Sequence, residues 1–99
     1  MIYQLIISAE AELDIQDGFE WYEERSSGLG SEFVRAVDSS LALIGRNPLA
    51  YPQAYRQVRR VLIRRFPYGV MYILEEDVIT IIACFHVKRD PKQWHDRSI

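Results

Sequence analysis

The chain has 99 residues, of which 48% are apolar and 26% are charged, and its formal net charge is −2. This length fits a single domain over residues 1–99, and the composition excludes a disordered, collagen-like or low-complexity chain. The longest apolar run is too short to span a membrane, and the first residues lack the basic flank and cleavage site of a secretory signal. A single cysteine, Cys84, is typical of a protein of the reducing cytoplasm.

The N-terminal part of the chain predicts a short buried strand followed by an amphipathic helix. Residues 2–7 are mostly β-forming and apolar, and Ser8 then stands where a helix N-cap belongs. Apolar or small residues recur after it at helical spacing, namely Ala11, Ile15, Gly18, Phe19 and Tyr22. Asp14 lies off this stripe, and we expect it to be solvated. Leu13 and Trp21 also lie off the stripe and are candidates for a partner surface.

A second amphipathic helix is predicted after a short loop. Residues 26–30 have the composition of a loop, and apolar residues then step by three or four along Leu29, Phe33, Val37, Leu41 and Ile44. Gly45 and Pro48 are stop signals for this helix. The two helices together predict an antiparallel helical hairpin. We interpret residues 47–56 as an ordered loop that crosses back over the domain.

The C-terminal half predicts three strands and a short tail. β-branched and aromatic residues prevail in the ranges 58–63, 68–74 and 78–87. The acidic turn at 75–77 predicts that the last two strands form a hairpin. The tail has room for one helical turn, and we expect Trp94 to anchor it to the core. The order is therefore β-α-α-β-β-β, an α+β domain in which the helical hairpin packs on a mostly antiparallel four-stranded sheet.

Charge is distributed unevenly between the two halves of the chain. Residues 1–50 carry nine acidic and three basic side chains, whereas residues 51–99 carry nine basic and five acidic ones. The protein can therefore present a basic face although its net charge is negative. Most of these cations are arginines, whose guanidinium groups suit bidentate contacts with carboxylates or phosphates. The alternative is that the two halves neutralise each other through intramolecular ion pairs.

A basic cluster near the ends of two predicted strands is the candidate site. Its members are Arg59, Arg60, Arg64, Arg65, His86, Lys88 and Arg89. Adjacent residues of a strand point to opposite faces, so one arginine of each pair is expected on the open side of the sheet. If the strands that hold Arg59-Arg60 and His86 are neighbours, guanidinium groups would lie near the imidazole. Such a face suits a phosphodiester, with arginines on the phosphate and histidine moving a proton, and it equally suits an acidic peptide.

Structural roles compete with these functional ones. A histidine that closes a buried strand can be a structural residue, and the arginine-rich strand can pair with the acidic helices. His86 and His95 match no zinc-binding spacing, and no phosphate-binding glycine loop is present, so the sequence predicts neither a metal nor a cofactor. Cys84 lies in the middle of a strand, which is more typical of a buried inert thiol than of a nucleophile.

Short motifs follow one another in a recognisable order along nearly the whole chain. The helical half holds Ala11, Asp14-Ile15, Trp21-Tyr22-Glu23, Gly28-Leu29-Gly30, Phe33, Asn47-Pro48 and Tyr51-Pro52. The strand-rich half adds Val58-Arg59-Arg60, Arg65-Phe66-Pro67-Tyr68, Tyr72, His86, Arg89-Asp90-Pro91, Trp94 and Arg97. In these motifs the chain resembles the RelE/ParE superfamily of toxins from bacterial type II toxin–antitoxin systems, also called plasmid stabilization proteins. The resemblance implies the same β-α-α-β-β-β order.

The resemblance is closer to the ParE side of the superfamily, because Val87 follows His86 and no tyrosine follows Tyr72. It implies a growth inhibitor that acts on DNA gyrase by binding. A cognate antitoxin with an acidic tail would neutralise it, and the two would form a hetero-oligomer. The alternatives are a RelE-like ribosome-dependent mRNA endoribonuclease and a member that has lost toxicity and persists as a binding module.

The superfamily likeness also implies roles for particular residues. Leu13 and Trp21 would contact the target, and His86, Arg59 and Arg60 would be catalytic only in a nuclease. Binding of phosphate or of the antitoxin would fall to Arg59, Arg60, Arg64, Arg65, Lys88, Arg89 and Arg97. No metal, cofactor or membrane is implied.

Overall fold

The computed structural model describes residues 2–98, which form five strands, two long helices and a short C-terminal helix. In chain order these are β1 (Gln4–Ile7), α1 (Ala9–Arg25), α2 (Leu29–Arg46), β2 (Gln53–Tyr55), β3 (Val58–Leu62), β4 (Tyr68–Glu75), β5 (Val78–His86) and α3 (Lys92–His95), followed by a 3-10 turn (Asp96–Ser98). The α+β class, the helical hairpin and the strand hairpin around the acidic turn are confirmed. No helix among the described residues is long and apolar enough to cross a membrane.

The sheet has the strand order β1-β5-β4-β3-β2. β1 runs parallel to β5, and every other neighbouring pair is antiparallel. The sheet is therefore mostly antiparallel, as the sequence predicted. β1 pairs only with the first part of β5, through residues 78–81. The second part of β5 therefore has a strand neighbour on one side only.

The number of strands differs from the prediction, since the described residues form five and the sequence indicated four. The additional strand, β2, lies in the segment 47–56 that we interpreted as a loop. Gln53 pairs with Arg59 and Tyr55 with Val58 across an irregular register, and Arg56 takes a left-handed conformation with φ of 51° in the turn. β2 has three mostly exposed residues and no alternation of buried and exposed positions, so local sequence carries no strand signal there.

Two glycines let the helices of the hairpin approach closely. A Cβ atom on Gly18 would lie 2.6 Å from the ring of Phe33, and one on Gly30 would lie 2.6 Å from the carbonyl oxygen of Phe19. Neither position has room for a methyl group. The first helix begins at its predicted cap, where Oγ of Ser8 accepts a hydrogen bond from the backbone N–H of residue 11.

Apolar side chains cover both faces of the sheet. The helix-facing core includes Phe33, Val37, Ile44, Val70, Tyr72, Ile79 and Ile81. The core on the opposite face, called the far face below, includes Val58, Met71, Ile73, Ile82, Phe85 and Trp94. Trp94 of α3 is only 5% exposed, which confirms that it anchors the tail.

Candidate functional site

The paired arginines of β3 point to opposite faces of the sheet, as strand alternation predicts. Arg59 pairs with Tyr72 of the helix-facing core, and its Nη1 donates to the carbonyl oxygen of Tyr51 at 2.6 Å. Arg60 pairs with Met71 of the far-face core and is exposed. Of these two arginines, only Arg60 stands on the side that the long helices leave open.

His86 ends β5 on the helix-facing side of the sheet. It pairs with Tyr68, and the two rings meet edge to face with 5.4 Å between their centroids. Its Nδ1 accepts a hydrogen bond from the backbone N–H of Lys88 at 3.0 Å. This contact assigns the ring proton of the neutral imidazole to Nε2, the nitrogen that is left to meet a ligand.

The strands that carry Arg60 and His86 are not neighbours, because β4 lies between them. The prediction that guanidinium groups lie near the imidazole on one face of the sheet is therefore wrong for Arg60 and His86. Two strand spacings, about 10 Å, separate β3 from β5, and the two side chains point to opposite faces. The two side chains therefore do not lie beside each other on one face of the sheet.

A shallow hollow on the far face brings Arg60 and Arg89 together. The Arg60 side chain crosses Gly69, where an added Cβ would lie 3.1 Å from its Cδ atom, and the Arg89 guanidinium lies 4.2 Å from the ring centre of Phe85. The hollow measures about 30 Å³ and is bordered at the strand end by His86. This volume is about that of one water molecule, so an anion would bind these arginines at the surface and not in a pocket.

The other predicted basic residues differ in whether their side chains form an ion pair. Arg64 and Lys88 are exposed and form no ion pair among the described residues. Arg65 forms an exposed pair with Glu32, with 2.9 Å between Nη2 and Oε1. A competing carboxylate or phosphate from solution can displace such an exposed contact at little cost.

Arg97 is occupied inside the protein and is not free to bind an external anion. Its Nη1 donates to Oδ2 of Asp14 at 2.6 Å and to the carbonyl oxygen of Ile82 at 3.0 Å. The same Oδ2 accepts the backbone N–H of Cys84 at 3.0 Å. The Asp14–Arg97 pair thus forms hydrogen bonds with backbone groups of β5 beyond the end of β1, where that side of β5 has no neighbouring strand.

The expectation that Asp14 is solvated is wrong, because its side chain is buried against β5. The buried positions of α1 are Ala11, Asp14, Gly18 and Tyr22, which recur at spacings of three and four. Asp14 therefore occupies the same helical stripe as the small and aromatic residues. This spacing is visible in the sequence, but a carboxylate in the stripe signals burial only once its arginine partner, 83 residues away, is known.

A cleft of about 460 Å³ opens between α1 and the end of β5. Side chains of both signs line it together with aromatic rings, among them Asp17, Trp21, Tyr68, His86 and Arg89. Trp21 is 48% exposed, and the Arg25 guanidinium lies 3.4 Å from the centre of its ring. Leu13 on the same helix is 64% exposed. Both residues predicted as target contacts therefore lie at the surface.

Burial raises the pKa of the hydroxyl and thiol groups behind this cleft, which stay protonated at neutral pH. It raises the pKa of Tyr22 and of Tyr68 above the ordinary value of a phenol. The pKa of Cys84 rises to about 12, first because the thiol is buried and second because the Asp14 carboxylate is near. Only the thiolate is strongly nucleophilic, so Cys84 is an inert buried group, as its place in the strand indicated.

A family model described as the ParE toxin of the type II toxin-antitoxin system, parDE, matches residues 5–91. The chain therefore belongs to the ParE toxin family. This match confirms the resemblance to the RelE/ParE superfamily that the sequence motifs carry. No curated protein matches the sequence at a significant level.

Three solved structures are similar to this fold. The chromosomal ParDE TA system from P. aeruginosa has a TM-score of 0.66 at 14% identity, over 86% of this chain and 96% of that one. The toxin-antitoxin complex RelBE2 from Mycobacterium tuberculosis has a TM-score of 0.61 at 15% identity, over 87% and 99%. A mutant of the E. coli toxin RelE in the free state has a TM-score of 0.61 at 11% identity, over the whole of both chains. At such identities the similarity shows a shared fold.

Proposed function

We propose that the protein is the toxin of a type II toxin–antitoxin module and that it arrests growth by binding DNA gyrase. Membership of the ParE family supports the role of toxin. Inhibition by binding requires an accessible contact surface and no set of catalytic groups. The described residues offer such a surface, on the exposed side of α1.

The observation that carries this proposal is the separation of Arg60 from His86. Acid–base cleavage of RNA needs a proton-transferring group and a phosphate-binding cation at the same phosphodiester. Here β4 lies between the two strands, and the side chains point to opposite faces. Arg59, on the helix-facing side, is held by the carbonyl oxygen of Tyr51. This arrangement favours inhibition by binding over RNA cleavage.

The first helix provides the candidate contact surface for the target. Leu13, Asp17 and Trp21 are spaced four residues apart and therefore share one side of α1. All three are exposed. A half-exposed tryptophan is typical of the residues that dominate a protein–protein interface, and Leu13 adds exposed apolar surface about two turns away on the same side. We assign these two side chains to the contact with gyrase.

Cleavage of mRNA on the ribosome is the second candidate function. The cleft beside α1 favours it, because His86, whose Nδ1 is occupied by the N–H of Lys88, lines this cleft together with Tyr68 and Arg89. In that case the phosphate would meet Arg89, and neither Arg59 nor Arg60 would take part. Arg60 would then serve only in binding.

A cognate antitoxin with an acidic tail is the partner that fits this toxin. Two of the structurally similar proteins are described as toxin–antitoxin systems or complexes. The exposed cations Arg60, Arg64 and Lys88 suit a carboxylate-rich segment that folds on binding. We therefore propose that the protein and its antitoxin form a hetero-oligomer.

The proposal is tested by expressing the chain in a bacterial host and following growth together with a DNA-damage reporter. His86→Gln is expected to leave growth arrest and the damage response intact, because a binding mechanism does not use the imidazole. Leu13→Glu is expected to raise the inducer dose needed for arrest about tenfold or more, as for the loss of a central interface residue. Leu49→Glu is the matched control, since Leu49 is similarly exposed but lies in the loop after α2.

Two outcomes would contradict the assignment to gyrase. If His86→Gln abolishes growth arrest while the native chain causes mRNA breakage without DNA damage, the nuclease candidate replaces it. If the folded native chain causes no arrest at any dose, the protein is the non-toxic binding module. Co-expression with the neighbouring short reading frame tests the partner, which should restore growth and co-purify with the chain.

A further inference from the structure

Arg64 and Arg65 lie close to two arginines of α2, in a groove between α2 and β3. This groove of about 530 Å³ separates the outer side of α2 from the open end of β3. We call it the arginine groove, and four of the residues that line it are Arg35, Arg46, Arg64 and Arg65. Ala36, Leu43 and Leu62 add apolar surface to it. Two of these four arginines come from the acidic half of the chain, where no site was predicted.

The charge of the arginine groove is largely uncompensated. Glu32 is the one acidic residue that lines it, and it pairs with Arg65. Within residues 2–98 the other three arginines form no ion pair and are exposed. The groove therefore holds an excess of three positive charges in a protein whose net charge is −2. This excess selects for an anionic ligand.

Apolar surface and an open strand edge narrow the class of ligand further. Leu43 is 43% exposed and Leu62 is 59% exposed, so the groove presents two exposed leucines from different elements. On its outer side β3 is covered by β2 only at Val58 and Arg59, with one further hydrogen bond from the N–H of Arg60 to Pro52. No strand of the described chain pairs with that side of Leu62. A peptide can add its backbone to such an edge.

The spacing of the arginines sets the length of the ligand. Arg35 and Arg46 lie eleven residues apart on one helix, which places their Cα atoms about 16 Å apart along the axis. An extended segment of about five residues covers this distance. Its carboxylates can meet an arginine at each end, and its apolar side chains can cover Leu43 and Leu62.

We propose that the arginine groove binds an acidic segment of a partner protein, with carboxylates on Arg35, Arg46 and Arg64 and apolar side chains on Leu43 and Leu62. The partner is the antitoxin, so this identification rests on the proposed function. A single-stranded nucleic acid fits less well, because no aromatic side chain lines the groove and stacking on aromatic rings is a main source of such binding.

The direct test measures binding of a fluorescent ten-residue peptide of alternating leucine and glutamate to the purified full chain. The double variant Arg35→Glu/Arg46→Glu is expected to raise the Kd of the peptide at least tenfold, because it turns two attractive charges into repulsive ones. The control variant Arg56→Glu/Lys92→Glu changes the net charge equally, at exposed positions outside the groove. It is expected to raise the Kd of the peptide less than threefold. Raising the salt concentration should weaken binding of the native chain and narrow the difference between the variants.

Several results would overturn the proposal. One is equal weakening by both double variants, which would show that only net charge matters. Another is binding of a labelled ten-nucleotide single strand more tightly than the peptide, with the same loss in Arg35→Glu/Arg46→Glu. Leu62→Ser, which leaves all charges in place, supplies a second check and should weaken peptide binding about threefold or more.

A growth experiment separates failure of the groove from failure of the proposed function. Arg35→Glu/Arg46→Glu is expected to arrest growth like the native chain but to escape rescue by the co-expressed antitoxin. Full rescue of this variant would overturn the groove while leaving the toxin role intact. Absence of arrest by the native chain would overturn the toxin role, whatever the peptide does.

Discussion

At the scale of single residues, two carboxylate–guanidinium pairs differ mainly in burial. The Asp14–Arg97 pair has 2.6 Å between its atoms and leaves 9% of the carboxylate side chain exposed, whereas the side chains of Glu32 and Arg65 are 38% and 69% exposed. Water can solvate either member of the exposed pair alone. It cannot do so for Asp14, whose carboxylate also satisfies the N–H of Cys84. Asp14 thus joins α1, β5 and the C-terminal segment at one point.

Asp14→Ala is expected to lower the free energy of unfolding by about 3 kcal/mol, because it leaves the Arg97 charge and the N–H of Cys84 without partners. Urea unfolding followed by tryptophan fluorescence measures the loss. The matched variant Glu32→Ala removes the exposed partner and is expected to change stability by less than about 1 kcal/mol. Equal losses in the two variants would contradict the structural role of Asp14.

The buried thiol of Cys84 and the buried phenol of Tyr72 make the stability of the fold sensitive to alkaline pH. Burial raises the pKa of Cys84 from 9.0 and that of Tyr72 from 10.0 to about 12 in each case. A pKa that is higher in the folded than in the unfolded state stabilises the fold below the unfolded value, and this contribution disappears as the pH rises toward the folded one. Both groups therefore favour folding at neutral pH.

The free energy of unfolding is consequently expected to fall as the pH rises from about 9 to about 12. Denaturant titrations at several pH values across this window measure the slope. Cys84→Ala should reduce the slope and leave the part due to tyrosine. A slope that is identical in the two proteins would show that the thiol does not titrate in this way.

At the scale of elements, the helical hairpin depends on a tight crossing and on one carboxylate. Oε2 of Glu23 accepts the N–H of Gly28, and Oε1 accepts the N–H of Gly30, each at 3.0 Å. The side chain thus satisfies free N–H groups at the start of α2, where a negative charge is favourable. Gly30 also lies against the backbone of α1 at Phe19, so the turn and the crossing are fixed together.

Gly30→Ala is expected to destabilise the protein by about 2 kcal/mol or more, since its Cβ would lie 2.6 Å from a backbone oxygen that cannot move independently. Gly45→Ala in the same helix is the control, because a Cβ there meets nothing within 4 Å. It should stabilise the protein by about 0.5–1 kcal/mol through helix propensity. Thermal unfolding of both variants measures these changes in stability. A loss of stability in both variants would contradict the tight crossing of the two helices.

Elements with a strong local signal were predictable, and contacts between distant parts of the chain were not. The cap at Ser8 and the strand hairpin around the turn 75–77 follow from short-range spacing. β2 is too short and too exposed to carry a pattern, and it exists because β3 offers an edge. The burial of Asp14 and the distance between Arg60 and His86 depend on the strand order, which spacing along the sequence does not specify.

At the scale of the whole molecule, the arginine groove and the cleft beside α1 border different strands of the sheet. The arginine groove borders β3, and the cleft with Trp21 borders β5, with β4 between these strands. A partner that occupies only the groove would leave Trp21 exposed. We therefore expect a neutralising antitoxin to extend across the molecule, as a disordered acidic tail can when it folds on binding.

The most direct test of the central claim is a DNA supercoiling assay with purified gyrase, run beside a cell-free translation assay with the same protein preparation. Inhibition by binding predicts that the native chain and His86→Gln reduce supercoiling equally, that Leu13→Glu does so about tenfold less well, and that none of the three cleaves mRNA. Unimpaired supercoiling together with mRNA cleavage that His86→Gln abolishes would contradict it.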